Sequence, residues 1–98
     1  MLTGGKSENW LGRLVSSSAG RDRGRSYLVF EVLSERLVRV VDGIVRGVDR
    51  PKEKNVKHLW FHAETAAGVA KKLARGERVT NNEIRQALAD FNKAGESE

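Results

Sequence analysis

The chain of 98 residues contains no cysteine. This excludes disulfide cross-links and thiolate metal sites, and it suits a reducing compartment. Proline occurs once, at Pro51, and aromatic residues make up only 6% of the chain. A chain this short and this poor in large apolar groups can form one modest core, with little apolar surface left to line a deep pocket. No apolar run approaches the roughly 20 residues that span a bilayer. Residues 1–7 lack the apolar centre of a signal peptide, and residues 1–11 read as a flexible tail that ends where Trp10 and Leu11 dock. A cytoplasmic protein with no membrane partner is therefore expected.

What the chain has in excess is positive charge. Lys and Arg number 18 against 13 Asp and Glu, a net charge of +5. Between Arg13 and Lys57 there are 11 basic residues against 6 acidic, whereas residues 58–98 carry 6 of each sign. The surplus thus falls on one stretch, and it favours an anionic partner over a neutral one. A basic face can also be merely solvated, so position matters more than the total.

The basic stretch reads as β-structure. Arg13-Leu14-Val15-Ser16, Tyr27-Leu28-Val29-Phe30-Glu31-Val32-Leu33 and Leu37-Val38-Arg39-Val40-Val41 are strands by composition, with a turn at Ser34-Glu35-Arg36. Asp42-Gly43 has the pattern of a type I′ hairpin turn, which makes residues 44–48 the returning strand. Residues 49–54 read as a basic loop around Pro51, and residues 55–61 as a final short strand. Five short strands over residues 12–61 favour a small barrel, which limits exposed edges by closure.

The pattern changes after Phe61. Ala66, Val69, Ala70 and Leu73 lie on one face of a helix that Gly76 can stop. Thr80-Asn81-Asn82-Glu83 has capping-box spacing ahead of a second stripe, Ile84, Ala87, Leu88 and Phe91, with Gly95 beyond its end. Residues 62–95 therefore read as a C-terminal helical hairpin. The fold class is mainly β with α.

The candidate site is the turn over residues 18–25. Gly20 and Gly24 permit φ > 0 without a Cβ penalty, while Arg21, Arg23 and Arg25 can form bidentate bonds to phosphate. Ser17 and Ser18 add hydroxyls, and Asp22 can hold the turn or orient an arginine. Arg50, Lys52, Lys54 and Lys57 form a second basic cluster that a barrel can bring to the same rim, with Arg46 extending it. Gly20, Gly24, Asp42 and Gly43 are the structural turn residues. Of the aromatics, most suit the core. Tyr27 and Phe30 have opposite strand parity, and Trp10 or Trp60, if outward, could stack on a base or dock the helices. His58 and His62 lack a third ligand nearby, so no metal is expected. No nucleophile has its base at a recognisable spacing, and Gly20 to Arg25 lacks the lysine and hydroxyl of a P-loop, so no catalytic residue is assigned.

Gly12-Arg13-Leu14-Val15 followed by Ala19-Gly20-Arg21-Asp22-Arg23-Gly24-Arg25 resembles the KOW motif, with Gly24 at the place of its invariant glycine. The motif occurs in ribosomal proteins and in transcription elongation factors of the NusG type. Val41-Asp42-Gly43 and residues 48–59 are similar to the bacterial KOW-domain proteins related to the fourteenth large-subunit ribosomal protein of the eukaryotic and archaeal type. Residues 76–85 resemble the helical tail of those homologues. The resemblance covers residues 12–61. It implies an SH3-like barrel that binds RNA, usually ribosomal RNA, with no cofactor and no catalysis. It also implies contacts through the 17–25 turn and the 50–57 segment. The bacterial members are not obligatory ribosomal proteins, so the particular RNA does not follow. The alternative is a protein-interaction module associated with the ribosome or the transcription machinery. Duplex DNA is a less favoured partner than RNA.

Overall fold

The computed structural model describes residues 10–96. Five strands come first: β1 (Arg13–Ser17), β2 (Ser26–Val32), β3 (Leu37–Val41), β4 (Lys52–Asn55) and β5 (Leu59–Thr65). A 3-10 turn (Val56–His58) joins β4 to β5, and two helices follow, α1 (Ala67–Ala74) and α2 (Asn81–Glu96). The protein is thus mainly β, with both helices after the sheet. All pairings are antiparallel, in the order β4-β3-β2-β1-β5. Of the expected tail, residues 1–9 lie outside the described residues. Trp10 does dock, with its ring centroid 5.0 Å from that of Phe61.

β4 and β5 are the two edges, yet only the three-residue 3-10 turn separates them. Flat strands would put these edges about 19 Å apart, and a 3-10 turn advances only about 2 Å per residue. The sheet is therefore strongly curled. Among the described residues no backbone ladder joins β4 to β5, so the sheet stays open along that seam.

Curling gives the sheet two differently covered faces. Val15, Tyr27, Val29, Val38, Val40 and Leu59 are buried together inside the curl. Leu28 and Val41 face the other way and share a second core with Ala66, Val69, Val79 and Ile84 from the helical region. Tyr27 and Phe30 split between these cores, as their opposite parity requires. A bulge at Phe30, where Val29 pairs with Val40 but Glu31 with Arg39, resets the alternation and turns Val32 back towards the inner core.

The fourth and fifth strands differ from the sequence expectation. Residues 44–48 form no strand. Asp42 Oδ1 instead accepts from the amides of Ile44 (2.9 Å) and Arg46 (2.8 Å), folding the segment into a side-chain-held loop. Only glycines among the described residues have φ > 0, so Asp42-Gly43 is not a type I′ turn. The loop is then fastened to α2. Arg85 Nη1 donates to the Gly43 carbonyl (2.7 Å), and Asn81 Oδ1 accepts from the Val48 amide (2.8 Å).

The partner of β3 is instead Lys52-Glu53-Lys54-Asn55, in the segment expected as loop. Charge is tolerated there because β4 is an edge. Arg39 lies opposite both Glu31 and Glu53 and bonds to them at 2.9 and 3.3 Å. The expected strand at 55–61 is divided, with His58 in the 3-10 turn rather than in a strand.

The helices end as their sequences dictate. Gly76 at φ +73° closes α1, its amide bonding to Leu73 O (3.1 Å) while the Glu77 amide reaches Lys72 O (2.8 Å). The capping box forms: Thr80 Oγ1 accepts from the Glu83 amide and Glu83 Oε2 from the Thr80 amide, both at 3.2 Å. α2 runs through Gly95 to Glu96 rather than stopping before it.

Candidate nucleic-acid interface

The turn between β1 and β2 is held from within its backbone and from behind. Gly20 (φ +83°) and Gly24 (φ +90°) take the left-handed conformation. The Gly24 amide donates to Ser17 O (2.8 Å), the Ser17 amide to Arg25 O (2.9 Å) and the Arg25 amide to Asp22 O (2.9 Å). The Ser18 amide reaches across to His58 O (2.8 Å), which ties the turn to the 3-10 turn beyond β4. The two basic segments expected to share a rim are thus brought together.

Asp22 is the hub of this arrangement. Its carboxylate accepts from Ser17 Oγ and Tyr27 OH, both at 2.8 Å, and from Lys52 Nζ (3.1 Å) and Lys54 Nζ (3.3 Å). Burial, the largest single influence, pushes this carboxyl up. The hydrogen bonds from Tyr27, Ser17, Lys52 and Lys54 together outweigh burial and hold it well below the usual carboxylate range. The same contact, added to burial, raises the Tyr27 hydroxyl far above its ordinary value.

The register explains how two lysines reach Asp22. Lys54 lies opposite Val38 and Lys52 opposite Val40, so both point into the curl. Their stems cross the open end and their amines meet the turn. A side-chain clasp therefore joins the edge strand β4 to the β1–β2 turn across the open end of the curl.

This sorts the expected contact residues into two groups. Ser17 is fully buried; its one hydroxyl proton is shared between Asp22 Oδ1 (2.8 Å) and Ala19 O (2.9 Å), and its oxygen accepts from Lys54 Nζ (3.1 Å). The Lys54 side chain is only 10% exposed. Neither can meet an external ligand; both belong to the clasp, and Lys52, one-third exposed, is shared between clasp and surface. Arg21, Arg23, Arg25, Arg50 and Lys57 are exposed, while Ser18 and Arg46 are half-buried. Among the described residues none of these five exposed cations, nor Arg46, is engaged in an ion pair, whereas Arg39, Lys52, Lys54, Lys72 and Arg75 are. Of the structural turn residues, Gly20 and Gly24 shape this turn, and Asp42 and Gly43 shape the neighbouring loop.

Two features were not read from the sequence. Lys52 and Lys54 act inward, which only the β3–β4 register reveals. Ser16 Oγ and His62 Nε2 are 2.7 Å apart across β1 and β5, a contact between residues 46 positions apart that no local spacing signals. Among the described residues no carboxylate is bonded to His62 to complete a relay. Arg13 lies over the Phe61 ring at 5.8 Å and donates from Nε to the His62 carbonyl, so it serves packing.

What the surface offers is a stiff turn with three guanidinium groups that no described residue engages in an ion pair, flanked by Arg50 and Lys57, with its own acid already neutralised from behind. Such a surface can hold several phosphates at once. No protein-family model matches this chain, and no curated protein matches it in sequence.

Proposed function

We propose that this protein is a non-catalytic RNA-binding module of the KOW type, built on an SH3-like sheet and working in the cytoplasm on ribosomal or other structured RNA. The observation that carries the reading is the contrast within one turn: Asp22 is engaged by Lys52 and Lys54, while Arg21, Arg23 and Arg25 are exposed and form no ion pair among the described residues. A meander whose fifth strand returns beside its first supports the SH3-like assignment, since it is the topology of a small barrel opened along one seam. A-form RNA hides its base edges in a deep groove, so contacts to the backbone dominate.

Titration of a structured RNA at several salt concentrations tests this. With Arg21, Arg23, Arg25, Arg50 and Lys57 each neutralising a phosphate, log K falls with log salt at a slope of about −3.5 to −4.5. Arg21→Glu with Arg23→Glu weakens binding to many RNAs, while Lys71→Glu with Arg78→Glu on the helical region changes it little. A salt-independent affinity, or equal losses in both double variants, refutes the mechanism.

A second reading, docking to a ribosomal or transcriptional protein, draws on Ile44 and Val45, which are 74% and 63% exposed on a loop fastened to α2. A defined partner that stays bound after nuclease treatment, and is lost in Ile44→Ser with Val45→Ser, would support it.

A further inference from the structure

Trp60 is 53% exposed, and the sheet register explains why no described residue covers it. It pairs with Ser16, which pairs in turn with Ser26. On β1 and β2 these serines alternate with Val15 and Tyr27 of the inner core, so the row points outward, on the same face as Leu14 and Leu28. The helices cover Leu14 and Leu28 and reach this row only at its Ser26 end. Two small hydroxyl side chains beside an indole leave its face open, and His62, the next outward residue on β5, is tied to Ser16.

The row does not end in empty solvent. Ser26 forms one wall of a cleft of about 450 Å³ that Arg25, Asp42, Ile44, Arg85, Leu88 and Asn92 also line; Oδ1 of Asp42, its one acid, is taken by the Ile44 and Arg46 amides. The Gly43 carbonyl holds Arg85 in place, and Arg25 belongs to the basic turn. From Trp60 to Ser26 is two strand spacings, about 10 Å. An aromatic face, a short polar floor and a cleft flanked by two cations therefore lie in line, continuous with the free arginines.

We infer that this row binds an unpaired segment of RNA, with one base stacked on Trp60 and the strand continuing over Ser16 and Ser26 towards Arg25 and Arg85. The inference rests on the RNA-binding reading and narrows it: the ligand is a helical RNA with unpaired nucleotides beside the helix, not a continuous duplex. Stacking platforms combined with basic grooves are how single strands are held, because every base offers a π face once unpaired. A closed duplex presents no such face.

The test compares a blunt RNA duplex with the same duplex carrying a short internal bulge. The wild-type protein should bind the bulged form more tightly. Trp60 emission, isolated as the difference between the wild type and Trp60→Phe, should be quenched by the bulged form alone. Trp60→Ala should lose roughly 5- to 150-fold on the bulged form and little on the blunt one, while Trp60→Phe keeps most of the preference. Ser26→Glu puts a negative charge on the same floor without touching the indole, and it should also weaken the bulged form selectively. If Trp60→Ala and Ser26→Glu keep the wild-type preference while Arg21→Glu with Arg23→Glu weakens both RNAs, this inference is overturned and the RNA reading stands. If the arginine variant leaves both RNAs unaffected, the RNA reading falls and takes the inference with it. A Trp60→Ala protein that keeps the preference but loses a nuclease-resistant protein partner assigns the face to protein and overturns the inference.

Discussion

Replacing Asp22 by alanine removes one carboxylate and strands the groups gathered round it. Lys52, one-third exposed, can turn to water and contributes little. Ser17 keeps Ala19 O as an acceptor. Lys54, with a side chain 10% exposed, and the hydroxyl of Tyr27, a residue 2% exposed, lose their acidic partner in a place that water hardly reaches. Removing one member of a buried charged pair costs about 3–5 kcal/mol, mostly from the charge left behind. That is a large share of the roughly 5–15 kcal/mol that stabilises a typical domain. In urea at pH 7 the midpoint should fall by about 2–5 M at an m-value near 1–1.5 kcal/mol/M. Adding Lys54→Met removes the stranded charge and offers methylenes to Val38, so the double variant should regain about 1–3 kcal/mol. A loss below about 1 kcal/mol in Asp22→Ala, or a double variant no more stable than the single one, refutes the account of the clasp.

Other outcomes follow from the same contacts. The Asp22 carboxyl is held below its unfolded value near 3.9, so the unfolded chain binds more protons in that range. Stability is then full above about pH 5 and falls as the pH drops through about 4. Asp22→Asn should flatten this acid limb, and an unchanged limb in acid titrations followed by circular dichroism would count against it. Tyr27 is raised by burial and by Asp22, so its contribution is full below about pH 10 and is lost above it; Tyr27→Phe should remove that alkaline loss in urea series run at rising pH. Gly43 has φ +78°, and a Cβ there would come within 2.7 Å of the Asn81 carbonyl oxygen. Gly43→Ala should therefore cost roughly 2–4 kcal/mol from the dihedral and the clash together, and a thermal melt showing under 1 kcal/mol would contradict this close approach. Ile84 is fully buried in the core between helices and sheet; Ile84→Ala should cost about 2–5 kcal/mol in urea, whereas a cost under 1 kcal/mol would mean that the helices add little to the fold.

Local chemistry made much of this legible from the residues alone. The first three strands, the two positive-φ glycines of the turn, the glycine stop at Gly76 and the capping box at Thr80 are all set within a few neighbours. The swap between residues 44–48 and 52–55 was not legible, because it is decided at a distance. Ile44, Val45 and Val48 have the branching that favours a strand, but Asp42 captures the amides of Ile44 and Arg46, and Arg85 and Asn81 fasten the loop to α2. Lys52-Glu53-Lys54-Asn55 has the composition of a loop, and becomes a strand because β3 needs an edge partner and Arg39 needs Glu53. At the candidate site, residue type identified the exposed arginines correctly as exposed. It could not separate them from Ser17 and Lys54, whose burial depends on the curl of the whole sheet.

Asp22 has a consequence for affinity that runs against simple charge counting. Deleting an acid from a basic turn should strengthen its attraction for any polyanion. Here the acid is what freezes the turn, through partners as far along the chain as Lys52 and Lys54. Three arginines on a slack loop would have to be ordered at each encounter, and that lost entropy would be subtracted from every phosphate contact. The carboxylate moves this cost from the moment of binding to the moment of folding. On the RNA-binding reading proposed above, a negative charge at the centre of the turn would thereby aid the holding of negative ligands.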